Sequence, residues 1–285
     1  MRQGHESRLP LFRRVEKEFG GRTLVTYFTS FTYPAPISDD DCEMLQSVLQ
    51  AIDLSKGLVL MISSPGGDGL AAERIVNICR AYSGTGDYWA LVPGRAKSAA
   101  TIICMGASKI FMAPSSELGP VDPQIIRKEG DGYRVYSAHS LVQGYDKIFS
   151  DAVKTKGNLE PFIMQLQKYD HREIQNYKSS IALSESLAVK ILSTGMCKGR
   201  SVADISKKIR MFIQPDAGTV VHGRPIYSQE AVECGLKVEP LDVNSPTWRP
   251  IYELYSRTNR YVSTYARKAV ESRTEAYYQQ PPRGS

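Results

Sequence analysis

The sequence predicts an α/β fold in which parallel strands alternate with helices. Apolar runs at 58–63 and 88–92 have the length and composition of strands buried on both faces. Each run is followed by a turn of small residues, and each turn leads into a segment with helical spacing of apolar side chains. Short loops between alternating strands and helices require parallel strands joined by right-handed crossovers.

The elements follow one another in a regular order through the first half of the chain. Apolar runs predict strands at 23–29, 58–63, 88–92 and 109–112. Apolar periodicity predicts helices at 39–52, 69–82 and 98–106. Ser38 precedes three aspartates, which places carboxylates at the positive N-terminal end of the first of these helices.

The second half of the chain has a different pattern. Residues 127–136 are typical of an exposed hairpin or loop, and residues 137–212 predict several helices. A helix within 227–238 ends at Gly235, a typical C-cap, and a Tyr- and Arg-rich amphipathic helix is predicted over 251–280. We therefore divide the chain into a basic N-terminal helix (1–20), a main domain (21–245), and a C-terminal helix with a disordered tail (246–285).

Composition and charge limit the classes of function. The chain has 285 residues, 42% hydrophobic, which is enough for a substantial core. Its net charge of +6 is divided between residues 1–20 (+2) and 246–285 (+4), so the middle of the chain is neutral. This distribution argues against a nucleic-acid groove in the core, and we expect the C-terminal aromatic residues to pack on the core or on another subunit.

Cysteine and histidine usage indicate the setting. Five cysteines are scattered without a CxxC pair, and the first twenty residues are too charged for a signal peptide. We expect a cytoplasmic protein with buried thiols. No apolar run reaches the ~20 residues needed to span a bilayer. Four separated histidines and no clustered acids at metal-ligand spacing predict that no metal is bound, and no cofactor is expected.

The two small-residue turns carry the chemistry. Ser98 opens a helix, where the positive helix end would stabilise an alkoxide; the alternative is that it only caps the helix. Gly66 and Gly67 end a strand, so their backbone N–H groups are free of side chains and can face a ligand. A glycine turn beside a serine turn predicts an oxyanion hole, formed by the N–H groups of Gly67 and Ala99, next to a nucleophile. Gly66 and Asp68 are predicted to contact substrate.

Four motifs extend this hypothesis to a family. They are KSAA at 97–100, ELGPVDPQ at 117–124, HGRPI at 222–226 and EAVECGL at 230–236. Together they resemble the serine dehydrogenase proteinase family, distant relatives of ClpP in the ClpP/crotonase superfamily. The resemblance covers roughly residues 20–240. It implies a ClpP-like core with helical additions, a serine endopeptidase acting on peptides or proteins, and a homo-oligomer.

The resemblance also implies a catalytic triad. In that family the order along the chain is Ser, Asp, His, which assigns Ser98 as nucleophile, Asp122 as the orienting acid and His222 as the general base. A working triad places the histidine between the other two, whereas ClpP has its histidine where this chain has Asp122. Either the loops differ from those of ClpP or another group is the base.

Other bases and other functions therefore stay open. His139 is the next histidine after the serine, and related membrane peptidases use a lysine, for which Lys147, Lys154 and Lys156 lie at suitable positions. Lys97 is adjacent to Ser98 in the sequence, but successive residues at the start of a helix point in different directions, so its side chain is not expected to reach the serine. A crotonase-type acyl-CoA enzyme would use the same oxyanion architecture without a nucleophilic serine. A non-catalytic scaffold that binds peptides is the remaining alternative.

Overall fold

The fold is known from a computed structural model that describes residues 4–130, 132–214 and 224–281. The strands are β1 Thr23–Thr29, β2 Leu58–Ser63, β3 Tyr88–Val92, β4 Arg95–Ala96, β5 Lys109–Met112, β6 Glu117–Leu118, β7 Gln124–Glu129, β8 Gly132–Ser137, β9 Val238–Pro240, β10 Lys268–Glu271 and β11 Ala276–Gln279. The helices are α1 Leu9–Glu18, α2 Asp39–Gln50, α3 Gly69–Tyr82, α4 Ala99–Gly106, α5 Ala138–Lys154, α6 Glu160–Leu166, α7 His171–Thr194, α8 Val202–Lys208, α9 Arg210–Ile213, α10 Ser228–Glu233 and α11 Trp248–Thr264.

A seven-stranded sheet organises the chain, in the order β11-β10-β1-β2-β3-β5-β9. The five strands from β1 to β9 in this order run parallel, and β10 and β11 are antiparallel additions at one edge. The crossovers between the parallel strands contain helices. The predicted α/β fold is confirmed, and the four strands predicted in the first half of the chain have the predicted bounds.

Both faces of the sheet are covered, which explains the continuous apolar run of β2. Leu58, Leu60 and Ile62 face a large core formed with α2, α3, α4 and α7, whereas Val59 and Met61 face a second core formed with α1 and α11. Every residue of β2 is buried. A strand that is buried on both faces cannot alternate with polar residues.

The hairpin β7–β8 stands apart from the main sheet. Among the described residues its strands pair only with each other, through six Cα partners from Gln124↔Ser137 to Glu129↔Gly132. It corresponds to the predicted hairpin and is longer at both ends. The helices α5 to α9 follow it, as the second half of the sequence predicts.

The predicted helix over 251–280 is wrong in its second half. The helix α11 ends at Thr264, and the chain then forms the β10–β11 hairpin, which adds to β1. The period changes here from helical to alternating: Ala269 packs in the second core and Val270 in the first. The alternation covers only four residues, too few to outweigh the helical pattern before it. The division into 1–20, 21–245 and 246–285 stays a prediction.

Candidate active site

Ser98 lies in a sharp turn between β4 and α4. Its backbone has φ +52° and ψ −119°, and it is the only non-glycine residue with positive φ among the residues that the structure describes. A non-glycine residue in such a backbone conformation costs about 1–3 kcal/mol of folding free energy, and the conformation persists only where the surrounding structure enforces it. Ser98 occupies the N-cap position of α4, but its side chain makes no capping hydrogen bond there, so side-chain capping does not explain its conformation.

Neighbouring backbone enforces this turn. The Lys97 N–H donates to the Ser64 carbonyl at 3.0 Å, which fixes the residue before the serine to the end of β2. The Ser98 carbonyl accepts from the Thr101 N–H at 2.8 Å, in the first turn of α4. The fully buried Thr101 hydroxyl lies 2.8 Å from the Ala96 carbonyl oxygen and 3.0 Å from that of Gly119, and it accepts a hydrogen bond from the Gly119 N–H. The strained serine is therefore held from both sides.

The Gly66–Gly67 turn lies directly against the serine. A Cβ on Gly66 would lie 2.6 Å from the Ser98 Cβ, and one on Gly67 would lie 2.2 Å from the backbone nitrogen of Ile37. Both distances are below any real contact, and both glycines have positive φ, at +106° and +154°. Only glycine fits at these two positions.

The orientation of the Gly67 N–H follows from its neighbours. The Ile37 N–H donates to the Gly66 carbonyl at 2.8 Å, and the Asp68 N–H donates to the Ile37 carbonyl at 2.9 Å. Because the Gly66 carbonyl and the Gly67 N–H belong to one trans peptide group and point in opposite directions, the Gly67 N–H points away from Ile37. Within the described chain neither this N–H nor that of Ala99 donates a hydrogen bond. Two backbone donors are thus available beside the serine.

A groove of about 870 Å³ joins these features. Its walls include all the predicted site residues that the structure describes: Gly66, Gly67, Asp68, Ser98, Ala99 and Asp122. The rest of its described lining is mostly apolar or hydroxylic, and the two aspartates are its only charged side chains within the described ranges. The Asp68 carboxylate caps α3 by accepting from the N–H groups of Leu70 and Ala71.

Asp122 is buried at the floor of the groove, with 1% of its surface exposed. Its Oδ2 accepts a hydrogen bond from the Gln124 side chain at 3.0 Å. The preceding N–H, of Val121, donates to the carbonyl of Phe212 in α9. A buried carboxylate in a groove that also contains a strained serine is suited to orient a base.

His222, the predicted base, lies outside the described residues. The described chain on both sides of it is attached to the segment that leads to Asp122. On one side Phe212 accepts from Val121, and on the other Leu118 and Ile226 exchange two backbone hydrogen bonds at 2.9 and 3.0 Å.

His139 is the other histidine that the sequence offers as a base. It is half-buried in the first turn of α5, and its Nε2 is buried and makes no hydrogen bond within the described part of the chain. The adjacent Ala138 N–H donates to the Pro123 carbonyl, so this turn lies next to Asp122 in the fold. His139 therefore remains the second histidine to test.

The lysines considered as bases are placed elsewhere. Lys147, Lys154 and Lys156 are exposed, on α5 or just after it, and no lysine is among the described residues that line the groove. Lys97 pairs with Glu117 at 2.6 Å and donates to a backbone carbonyl. These positions favour a histidine over a lysine as the candidate general base.

Cysteine and metal chemistry receive no support from the geometry. All five cysteines are buried and reduced. Burial raises the pKa of Cys42 and of Cys234 to about 11, which removes their thiolate at neutral pH. The described residues contain no group of three or more His, Cys, Asp or Glu side chains that could hold a metal ion. None of the helices in the described ranges is long and apolar enough to cross a membrane.

Comparison with known proteins identifies the family of this chain. The chain belongs to the family of ClpP-like SDH-type serine proteinases, which it matches over residues 25–272. The resemblance drawn from the four motifs is thus confirmed.

The relatives differ in how much of their length the chain covers. Two uncharacterized proteins of Methanocaldococcus jannaschii are similar: MJ0137 is 28% identical over 74% of this chain, and MJ1495 is 22% identical over 89%. The chain spans 62% of the length of the first and 77% of the second. Among solved structures, an alanine mutant of the 1510-N membrane-bound stomatin-specific protease is 18% identical. It has a TM-score of 0.44 over 84% of this chain and 86% of that one.

Proposed function

We propose that this protein is a serine endopeptidase that hydrolyses peptide bonds through an acyl-enzyme on Ser98. The observation that carries the proposal is the strained conformation of Ser98 beside the two available N–H groups of Gly67 and Ala99. Strain of this kind is concentrated at functional residues, and a capping serine would not need it. Membership of a serine proteinase family supports the same reaction.

The proposed reaction follows the general course of acyl transfer. The Ser98 Oγ attacks the scissile carbonyl carbon while His222 removes its proton, and Asp122 holds the imidazole in the required tautomer. The carbonyl oxygen becomes an oxyanion that accepts hydrogen bonds from the Gly67 and Ala99 N–H groups. The C–N bond then breaks, and His222 donates the proton to the leaving amine. Water, deprotonated by the same base, releases the acyl group from Ser98.

The groove favours one class of substrate. Leu70, Ile126, Val135 and Leu183 line it and are each between 45% and 68% exposed. Ile126 and Val135 are direct partners on the β7–β8 hairpin, so they form one apolar wall. We propose that the groove takes an extended peptide with uncharged, mainly apolar side chains, because a charged side chain would lose hydration there without a partner other than the two aspartates.

A fluorophosphonate probe read by intact mass tests the nucleophile and the base together. Wild type is expected to gain one adduct, and Ser98→Ala none. His222→Ala should lower the labelling rate by at least about a hundredfold, since general-base catalysis contributes about 10²–10⁴-fold. His171→Ala is the matched control, because His171 is exposed at the start of α7 and should label at the wild-type rate.

Other outcomes distinguish the alternatives. Full labelling of His222→Ala together with loss in His139→Ala would move the base to His139, and loss in neither would direct the search to the lysines. An unlabelled wild type would refute the peptidase; binding of coenzyme A by that protein would then favour an acyl-CoA enzyme, and binding of peptides without cleavage a scaffold. The homo-oligomer, which light scattering measures, and the cytoplasmic location remain predictions.

A further inference from the structure

A buried ion pair that does not line the groove is connected to the glycine turn by a short segment of chain. The Lys268 ammonium contacts the Asp41 carboxylate at 2.6 Å, and both side chains are at most 3% exposed. Lys268 begins β10 in the C-terminal hairpin, and Asp41 is in the first turn of α2. The two residues are 227 positions apart in the sequence. The proposed mechanism does not use either of them.

This ion pair holds the residue that precedes α2. The Lys268 ammonium also donates to the Ser38 hydroxyl at 2.9 Å. The Asp41 Oδ2 accepts from the Ser38 backbone N–H at 2.7 Å. Ser38 is therefore fixed through both its side chain and its backbone.

The residue that precedes Ser38 contacts the glycine turn. Ile37, 1% exposed, forms a parallel bridge with Gly67 and exchanges hydrogen bonds with the Gly66 carbonyl and the Asp68 N–H. The bond to the Gly66 carbonyl fixes the Gly66–Gly67 peptide, which carries the Gly67 N–H, and the bond from the Asp68 N–H fixes the peptide that follows it. A continuous series of contacts thus leads from Lys268 and Asp41 through Ser38 and Ile37 to the glycine turn.

We propose that Lys268 and Asp41 are positioning residues that fix the oxyanion-binding N–H of Gly67 through the Ser38–Ile37 segment. The proposal rests on the proposed function. Replacing a buried ion pair by apolar residues of similar volume is often neutral or stabilising, so stability alone does not account for the pair. A role in aligning an oxyanion donor does account for the pair, because loss of one such donor lowers kcat by about 10²–10³-fold.

The test measures labelling and turnover on Lys268→Met and on the double variant Lys268→Met/Asp41→Leu. The rate of fluorophosphonate addition to Ser98 and kcat on an apolar fluorogenic peptide are expected to fall at least about tenfold, with KM changed less than twofold. A peptide boronic acid, whose tetrahedral adduct occupies the oxyanion site, should lose affinity by a similar factor. The matching non-covalent peptide should bind as it binds wild type.

A matched control separates positioning from stability. Arg8→Met breaks the fully buried Arg8–Glu271 pair on the opposite face of the same strand, where α1 covers it. It should lose stability, yet its folded fraction should label at the wild-type rate. If Lys268→Met does not fold, the double variant Lys268→Met/Asp41→Leu replaces it in the test, because the double variant leaves no unpaired buried charge.

The outcomes tell the two proposals apart. If wild type is labelled at Ser98 and both Lys268 variants are labelled at the wild-type rate, the positioning role is overturned and the proposed peptidase activity is unaffected. Wild type that does not label would overturn the peptidase and this role with it. Recovery of stability without recovery of kcat in the double variant is the result that the proposal requires.

Discussion

Glycine and alanine substitutions at Ser98 measure the strain on which the assignment of the nucleophile depends. Both remove the hydroxyl, so they differ only in the Cβ and in backbone freedom. With φ at +52°, alanine keeps a strain of about 1–3 kcal/mol, which glycine does not have. Glycine gives back about 0.5–1 kcal/mol through its freedom in the unfolded chain. Ser98→Gly should therefore be more stable than Ser98→Ala by about 1 kcal/mol.

Thermal and denaturant unfolding of the two variants give this difference directly. A gap of 1 kcal/mol corresponds to about 2–4 °C in Tm for a chain of comparable size. The control is Ala182→Gly, at an exposed position inside α7, which should lose about 1 kcal/mol because glycine weakens a helix. If Ser98→Gly were less stable than Ser98→Ala, Ser98 would be unstrained and the main support for its catalytic role would be lost.

Three further predictions rest on other parts of the structure. Gly67→Ala should lose at least about 2 kcal/mol of stability and most labelling of Ser98, because the added Cβ would meet the Ile37 backbone at 2.2 Å; wild-type labelling would contradict the turn geometry. Glu271→Leu should cost about 3–5 kcal/mol in urea unfolding by leaving the Arg8 charge buried, and Glu271→Leu/Arg8→Leu should recover most of it; equal losses in both would contradict this. The five buried cysteines should react with a disulfide reagent at pH 8 only after unfolding, and rapid reaction of any native thiol would show an error in its burial.

Local patterns along the chain predicted the parallel part of the sheet well. The run at Leu58–Ser63 is continuous because both of its faces are covered, and small residues must follow because two turns meet there. Glycine at 66 and 67 and alanine at 99 are short-range signals of close approach. Those signals predicted that the glycine turn lies beside the serine turn, and the structure brings the two turns into contact.

The C-terminal hairpin could not be predicted in the same way. The α11 helix has strong amphipathic spacing up to Thr264, and the four residues of β10 that follow offer only one alternation. What makes them a strand is the free edge of β1, which lies about 240 positions earlier in the sequence. Pairing across that separation depends on tertiary structure, which a reading of local periodicity does not contain.

The role of the aspartates after Ser38 illustrates the same limit at the site. From sequence, three carboxylates at a helix start indicate only a favourable interaction with the helix dipole. In the fold the third of them, Asp41, is fully buried and paired with Lys268. Sequence spacing cannot distinguish these two situations, since the partner comes from β10.

The position of Lys268 has a consequence for how the site is assembled. The groove is built from residues between 30 and 187, yet one of its supports comes from residue 268. Lys268 pairs with Thr29 across β10 and β1, and the Thr29 hydroxyl is 2.8 Å from that of Ser64, to which the Gly66 N–H donates. Two polar connections therefore converge on the glycine turn from one strand pair. A chain that lacks the C-terminal hairpin would lose the Lys268 contact, so the proposed positioning role predicts that such a chain keeps Ser98 but aligns the Gly67 N–H poorly.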